Sequence, residues 1–267
     1  MNTPHPAPAP RESTALEARG VTFAYAHGKP VIKDFSADLR PGRLCAMIGP
    51  NASGKTTLLR IMLGHLQPSC GDVTVTGTSV RELTARKRAN WLSYVPQQGG
   101  SGFAFTVYQV VAMGRHAARR DESAIESALC RCDLAGIRDR PFTQLSAGQQ
   151  QRVLLARALA QVSGEGRVML LDEPASAMDL QHLHRTMNLL VRTARDGPAV
   201  LAVLHDLDLA ARYADDVWVL HEGNLVAQGP WRDVLAASVL EPVYGVKLQS
   251  FKPAGSDRPM FLVDPRP

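Results

Sequence analysis

The sequence predicts an α/β fold with a mostly parallel core sheet, an antiparallel β layer beside it and an inserted helical subdomain. Residues 44–48, 168–171 and 199–204 form continuous apolar runs, which are typical of parallel strands buried on both faces. Residues 16–25 and 31–39 instead alternate between apolar and polar side chains. Such alternation is typical of antiparallel strands with one face in water.

Each of the three continuous runs ends in residues that suit chemistry. A glycine-bounded loop follows the first run, Asp172 and Glu173 follow the second, and His205 follows the third. Ligands of open α/β sheets bind beyond the carboxyl ends of the strands. We therefore expect the loop, the two carboxylates and the histidine to surround one phosphate chain.

The other elements follow in chain order. Residues 73–75 extend the antiparallel layer after the first helix. Thr106 has the residue type and position of an N-cap, and apolar residues recur at helical spacing beyond it, so we expect the helical subdomain at about residues 98–161. Residues 217–227 predict a hairpin, and a short helix is expected at about residues 231–237.

Composition bounds the domain organisation. The chain has 267 residues, of which 45% are hydrophobic, enough for a sizeable core. Residues 1–14 are rich in proline and small polar residues, so we expect a disordered tail, followed by one nucleotide-binding domain over residues 15–267. The net charge of +5 decides no function by itself.

No apolar stretch is long enough for a membrane span, and no basic segment leads into an apolar one at the N-terminus. We therefore expect the chain to stay in the cytoplasm. The four cysteines show no C-x-x-C spacing and most have apolar neighbours, so we expect reduced, mostly buried thiols.

Residues 49–56, here called the nucleotide loop, fit the pattern G-x-x-x-x-G-K-[ST] between a strand and a helix. Its backbone N–H groups form a nest for phosphates, which the helix N-terminus reinforces. Lys55 supplies a positive charge for the outer phosphates and Thr56 a hydroxyl for Mg²⁺. The expected ATP-binding residues are Gly49, Pro50, Asn51, Ala52, Ser53, Gly54, Lys55, Thr56 and Thr57.

Residues 145–149, the signature segment, have the sequence Leu-Ser-Ala-Gly-Gln. Ser146 is expected to cap a helix whose free N–H groups form a second anion site. Here the chain resembles the ATP-binding subunits of ABC transporters, over about residues 15–250 and with the motifs in the same order. The resemblance implies an ABC-type P-loop ATPase that binds ATP and Mg²⁺, in which Ser146, Gly148 and Gln149 contact the ATP held by a second copy.

The resemblance also implies individual roles. Glu173 is the expected general base, and Asp172 is expected to hold Mg²⁺ together with Thr56 and Gln97. The resemblance places His205 at the γ-phosphate, and Gln97 at the attacking water as well as at the metal. Gln98 is the alternative to Gln97 if the register slips by one residue.

Tyr25 matches the aromatic residue that stacks on adenine, although a strand aromatic packed in the core is the alternative. Ala52 and Ala147 replace glycines that are frequent in the family, and Met178 replaces a leucine. We expect an active site despite these departures. Phe103, Phe105 and Tyr108 follow Gln97 where the family forms a groove for the permease, with a plain core role as the alternative.

Within the family, the chain is most similar to the ATPase subunits of iron-siderophore, haem and cobalamin importers, and especially to the haemin-import members. This implies a homodimer on the cytoplasmic face of the bacterial inner membrane that drives a permease dimer, with a periplasmic haem-binding protein as an indirect partner. Siderophore or cobalamin import is the alternative, and a chromosome or DNA-repair ATPase is a remote one. We expect no nucleic-acid partner, because about ninety residues between Lys55 and Ser146 leave no room for a long coiled coil.

Overall fold

A computed structural model describes residues 14–26, 28–97, 105–119, 121–163 and 166–264. Almost all of the tail predicted at residues 1–14, together with Gln98 and Phe103, lies outside the described residues. The described strands are β1 (Leu16–Phe23), β2 (Ile32–Leu39), β3 (Leu44–Ile48), β4 (Cys70–Val75), β5 (Thr78–Ser79), β6 (Leu92–Val95), β7 (Val168–Asp172), β8 (Ala199–Val203), β9 (Asp216–His221), β10 (Asn224–Pro230), β11 (Leu248–Phe251) and β12 (Met260–Val263). The α-helices are α1 (Lys55–Met62), α2 (Ala85–Trp91), α3 (Val107–Ala112), α4 (Glu122–Arg131), α5 (Ala147–Val162), α6 (Leu180–Arg195), α7 (Leu207–Tyr213), α8 (Trp231–Val234) and α9 (Ala237–Tyr244).

The core sheet has six strands in the order β10-β9-β3-β8-β7-β6. Its strands are parallel except for β10, which pairs antiparallel with β9. Every residue of β3, β7 and β8 is buried, which explains their continuous apolar runs. The predicted hairpin at residues 217–227 is confirmed, and its first strand also joins the parallel sheet beside β3.

The predicted antiparallel layer is a four-stranded sheet in the order β2-β1-β4-β5. Strand β1 pairs with both β2 and β4, and the buried positions of these strands alternate with wetter ones. Irregularities between Ala18 and Phe23 shift the register, so Ile32 and not Val31 is the buried residue at the start of β2. The antiparallel sheet packs on the core sheet through a second hydrophobic cluster that includes Phe35 and Trp218.

Helices α3, α4 and α5 occupy the segment predicted to be helical. Thr106 caps α3 with a full capping box, as its sequence position suggested. Val107, Ile125 and Leu129 are buried in the same cluster as Leu44 of the central strand, so the helical layer shares one core with the sheet. The bounds of about 98–161 for a separate subdomain stay a prediction.

The C-terminal segment adds two short helices and a hairpin of β11 and β12. The helix expected at residues 231–237 is shorter, ending at Val234. Among the described residues no helix is both long and apolar enough to span a membrane.

The prediction of mostly buried cysteines is half right. Cys45 and Cys132 are buried, whereas Cys70 and Cys130 are exposed, because they lie at a strand start and on the outer side of α4. All four are free thiols. Burial raises the pKa of the Cys132 thiol to about 12.

Candidate nucleotide site

The nucleotide loop runs from the end of β3 into α1, as the sequence predicted. Gly49 has a φ of 149°, and a Cβ placed on it would lie 2.0 Å from the Leu220 carbonyl oxygen. Gly54 is the left-handed N-cap of α1, with a φ of 105°. These two positions need glycine, whereas Ala52 adopts a left-handed φ of 61° at some cost.

Lys55 is buried at the first position of α1. Its ammonium group donates hydrogen bonds to the carbonyl oxygens of Gly49, at 2.8 Å, and Pro50, at 2.7 Å. Burial lowers the pKa of Lys55, while the carboxylates of Glu173 and Asp172 act in the opposite direction. The ammonium group is therefore held by the loop itself, and the charges of both acids act on it.

Thr56 and Asp172 form a direct pair. The Thr56 hydroxyl donates a 2.8 Å hydrogen bond to Oδ2 of Asp172, whose Oδ1 is buried without a hydrogen bond in the described part of the chain. Burial raises the pKa of Asp172, although the bond from Thr56 opposes this shift. A hydroxyl beside an unpartnered carboxylate oxygen is a donor set that Mg²⁺ accepts.

No group of three His, Cys, Asp or Glu residues that could hold a metal alone occurs in the described ranges. The remaining ligands of a metal at this pair would therefore come from water and from the phosphates of a bound nucleotide.

Glu173 and His205 come together at the ends of neighbouring strands. Nε2 of His205 is in hydrogen-bond contact with Oε1 of Glu173, as their positions after β8 and β7 predicted. Glu173 has a left-handed φ of 49°. The Glu173 side chain is 15% exposed and the His205 side chain 42% exposed, so the pair opens to solvent on the histidine side.

Gln97 lies two residues after β6. Because Val95 of β6 pairs with Leu171 of β7 in parallel register, Gln97 lies at the same edge of the sheet as Asp172 and Glu173. Its side chain is exposed, and it forms no hydrogen bond with Thr56 or Asp172 among the described contacts. The structure therefore places Gln97 near the edge that carries the acids without joining it to them.

Tyr25 is not a core aromatic. It follows β1 and is 44% exposed, with its ring packed edge-on against Phe23 at a centroid distance of 4.9 Å. Its hydroxyl lies 3.2 Å from Oγ1 of Thr57 in α1. The exposed ring therefore lies beside the first turn of the helix that starts from the nucleotide loop.

Phe105 and Tyr108, the described members of the aromatic set expected at a permease groove, are both partly buried. They pack against the cluster that contains the core sheet. The Tyr108 hydroxyl contacts Glu122, and Arg138 stacks over its ring at 4.8 Å. These contacts favour the alternative of a structural role for Tyr108.

The signature segment leads into α5, and Ser146 is the N-cap, as predicted. Its hydroxyl accepts a 3.3 Å hydrogen bond from the Gln149 N–H, and Oε1 of Gln149 accepts a 3.1 Å bond from the Ser146 N–H. A Cβ on Gly148 would lie 2.9 Å from the Ala177 carbonyl oxygen, so glycine permits this close approach. A cleft of about 450 Å³ lies beside the segment, and Met178 and Asp179 also line it.

Two positioning contacts were missed at the sequence level. Gln151 is buried in α5 and donates a 3.3 Å hydrogen bond to the Pro96 carbonyl oxygen, which joins the signature helix to the stretch before Gln97. Thr186 donates a 3.2 Å hydrogen bond to the sulfur of Met178. Methionine therefore fills the volume of the leucine frequent in the family and also accepts a hydrogen bond, which leucine cannot do. In the sequence, the only sign of the role of Gln151 was a glutamine at a position of α5 that faces the core.

Comparisons with known proteins agree with this geometry. Residues 32–176 match the family described as "ABC transporter". The chain is 42% identical to the "Hemin import ATP-binding protein HmuV" of Rhodococcus jostii, covering 90% of this chain and 84% of the relative. It is 38% identical to the protein of the same name from Myxococcus xanthus, covering 94% and 98%.

Solved structures extend the comparison. One described as an inward-facing conformation of a putative metal-chelate type ABC transporter superposes with a TM-score of 0.79 at 28% identity, covering 94% of this chain and 97% of that one. A dimeric, post-hydrolysis ATP-binding cassette with bound ADP and Pi gives 0.72 at 26% identity, covering 80% and 98%. The chain therefore belongs to the ABC transporter family, as one of its ATP-binding ATPase subunits.

Proposed function

We infer that the chain is the ATP-hydrolysing subunit of an importer that moves haem through a separate membrane permease. The cargo assignment is supported by the curated relatives, which carry the name hemin import ATP-binding protein and align over most of their own length. The ATPase of such a system does not contact the cargo. The chemistry of the site therefore supports the assignment of ATP hydrolysis, whereas the assignment of haem as cargo depends on the relatives.

The observation that carries the reaction is the convergence of two side-chain pairs beyond one sheet edge. Thr56 pairs with Asp172, and the next residue, Glu173, contacts His205. The nucleotide loop ends at the first pair, so phosphates held by its N–H groups and by Lys55 extend toward the second. Tyr25 lies beside the first turn of α1 with its ring exposed, where it can stack on the adenine.

A bound Mg²⁺ would be held by Thr56 and Asp172, with Gln97 approaching from the end of β6. The buried, unpartnered Oδ1 of Asp172 supports this assignment. The ion would neutralise charge on the β- and γ-phosphates when bound.

Hydrolysis then depends on positioning by this chain's own residues. Glu173 accepts a proton from the attacking water, whose oxygen forms the new bond to the γ-phosphorus while the bond to the ADP oxygen breaks. His205 orients the Glu173 carboxylate through Nε2 and lies where it can contact the γ-phosphate. Lys55 exchanges its loop carbonyl partners for phosphate oxygens, a stronger charge-assisted contact.

A second copy completes the site. Ser146, Gly148 and Gln149 form a helix N-terminus beside their own cleft, and no described hydrogen bond joins them to the nucleotide loop of the same copy. Two copies related by a two-fold axis would each close this second anion site over the ATP of the other. The dimer would act on a permease pair at the cytoplasmic face of the inner membrane, with a periplasmic haem-binding protein as an indirect partner.

The remote alternative, a chromosome or DNA-repair ATPase, has little support. Such proteins separate the nucleotide loop from the signature segment by long coiled coils, whereas the longest helix described between residues 56 and 146 has ten residues.

The test is reconstitution of the chain with its co-purified permease in liposomes. Haem-loaded binding protein should stimulate ATP hydrolysis, while siderophore-loaded and cobalamin-loaded binding proteins should not. A complex carrying Glu173→Gln is the matched control, because it should bind ATP and remain unstimulated. Stimulation by one of the other two proteins alone would overturn haem as the cargo, and an ATPase-active Glu173→Gln complex would overturn the reaction assignment.

A further inference from the structure

Helix α7 begins directly after His205 and has only seven residues. A helix of this length is marginal in water on its own, so its position depends on tertiary contacts. On the strand side, the N–H of Leu204 donates a 3.0 Å bond to the Met47 carbonyl oxygen of β3. On the helix side, Asp206 caps α7. The position of His205 is therefore set by β3 before it and by α7 after it.

The C-terminal hairpin holds α7 near both ends. In its first turn, Oδ1 of Asp208 accepts a 2.8 Å hydrogen bond from the N–H of Phe261 in β12. At its C-terminal end, Nη1 of Arg258 donates bonds to the carbonyl oxygens of Ala211, in the last turn, at 2.6 Å, and of Ala214, the C-cap, at 2.9 Å. These carbonyls lie at the negative end of the helix, where a cation is favoured.

Arg258 is itself well placed for this role. Its guanidinium stacks over the Trp231 ring at 4.8 Å, and burial lowers its pKa, while Asp215 and Asp257 act in the opposite direction. Arg232 stacks on the same Trp231 ring at 4.4 Å, but its ion pair is with the exposed Asp257, and it makes no hydrogen bond to α7 among the described residues.

We propose that the C-terminal hairpin positions His205 for ATP hydrolysis, with Arg258 and Asp208 as the positioning residues that hold helix α7. The inference rests on the proposed function in one respect, which is that His205 acts in hydrolysis. His205, helix α7 and the hairpin all lie outside residues 32–176, the part of the chain that matches the family model.

The first experiment compares Arg258→Met, Arg258→Lys and Arg232→Met in the full chain. Arg258→Met should lower kcat for ATP hydrolysis about tenfold and change the Kd for ATP much less, because the nucleotide loop supplies most of the ground-state contacts with the phosphates and His205 only one. Arg258→Lys should recover most of kcat, since it can still donate to the helix end. Arg232→Met is the matched control: it removes the second arginine stacked on Trp231 and one exposed ion pair to the hairpin, which contributes little, so it should keep wild-type kcat. Equal loss in Arg232→Met, or a Kd change that accounts for the whole loss, would overturn the proposal.

The second experiment separates positioning from a general structural effect. The ring-nitrogen chemical shifts of His205, measured by NMR without nucleotide, should move in Arg258→Met and in Asp208→Ala but stay in place in Arg232→Met. In a double-mutant cycle, Arg258→Met should cause no further loss of kcat once His205→Ala is present. Unchanged chemical shifts of His205, or a fully additive loss of kcat, would refute the positioning role of the hairpin. Undiminished activity of His205→Ala alone would instead refute the role of His205 in the proposed function.

Discussion

The Thr56 hydroxyl donates a 2.8 Å hydrogen bond to Oδ2 of Asp172, 116 residues further along the chain. The bond joins the start of α1 to the end of β7, so the phosphate-binding helix and the acidic strand share one fixed edge. The carboxylate oxygen that this bond leaves free is buried. A hydroxyl beside a buried, unpartnered carboxylate oxygen is the reason for assigning the metal to this pair.

Glu173→Gln should abolish turnover and keep nucleotide binding. The amide cannot accept a proton from water, and loss of a general base costs about 10²- to 10⁴-fold in rate. Phosphate release and ATP binding by the same preparation measure the two effects. The idea fails if the variant hydrolyses ATP at the wild-type rate.

Asp172→Asn should make the metal-free chain more stable at neutral pH. Burial raises the pKa of Asp172. The free energy that its protonated side chain contributes to folding is therefore fully present below the unfolded pKa, about 4. This contribution is lost as pH rises through the folded pKa. The amide avoids that loss, and its carbonyl can still accept the bond from Thr56.

Urea unfolding at a series of pH values measures the difference. The gain should be present at pH 7 and disappear toward acid pH, and the exposed control Asp139→Asn should show none. A variant that is less stable than the wild type at pH 7 would contradict the argument. Magnesium-dependent hydrolysis should be lost in Asp172→Asn in either case.

Tyr25→Ala should weaken ATP binding by about 1–3 kcal/mol, the range measured for loss of a stacked base. Tyr25→Phe keeps the ring and removes only the contact with Thr57, so it should bind ATP nearly as the wild type does. Calorimetric titration of both variants distinguishes stacking from the hydroxyl contact. Equal weakening in the two would assign the effect to the hydroxyl.

Gly148→Ala should impair hydrolysis about tenfold without changing the affinity of a single copy for ATP. The added methyl would lie 2.9 Å from the Ala177 carbonyl oxygen, a backbone atom that can move only with its loop. Gly136→Ala is the matched control, because a Cβ there meets no atom within 4 Å. ATP-driven dimerisation, followed by light scattering, should fall with the hydrolysis rate, and an unaffected dimer would contradict this explanation.

The sequence predicted most of the local structure because its signals are local. Continuous apolar runs marked β3, β7 and β8, and the residues at their ends marked the site. Thr106 and Ser146 are confirmed as helix caps, since capping depends on residues three positions apart.

What could not be predicted depends on partners far along the chain. The order of strands in the core sheet, which brings Asp172 to Thr56, follows from packing rather than from periodicity. The role of Gln151 depends on the carbonyl group of Pro96, and that of Arg258 on the end of α7. No pattern within a short window of sequence reports such contacts.

The capping box between Ser146 and Gln149 has a consequence for the transport cycle. Each of these residues already has a polar partner inside its own copy. Those bonds use the hydroxyl oxygen of Ser146 and the N–H and Oε1 of Gln149, so the Ser146 hydroxyl proton and the Gln149 side-chain N–H groups stay available to donate to a phosphate from another copy, if the dimer forms as proposed. The capping box therefore orders these donors before the phosphate arrives, so closing the two copies loses little side-chain entropy at this end in each round.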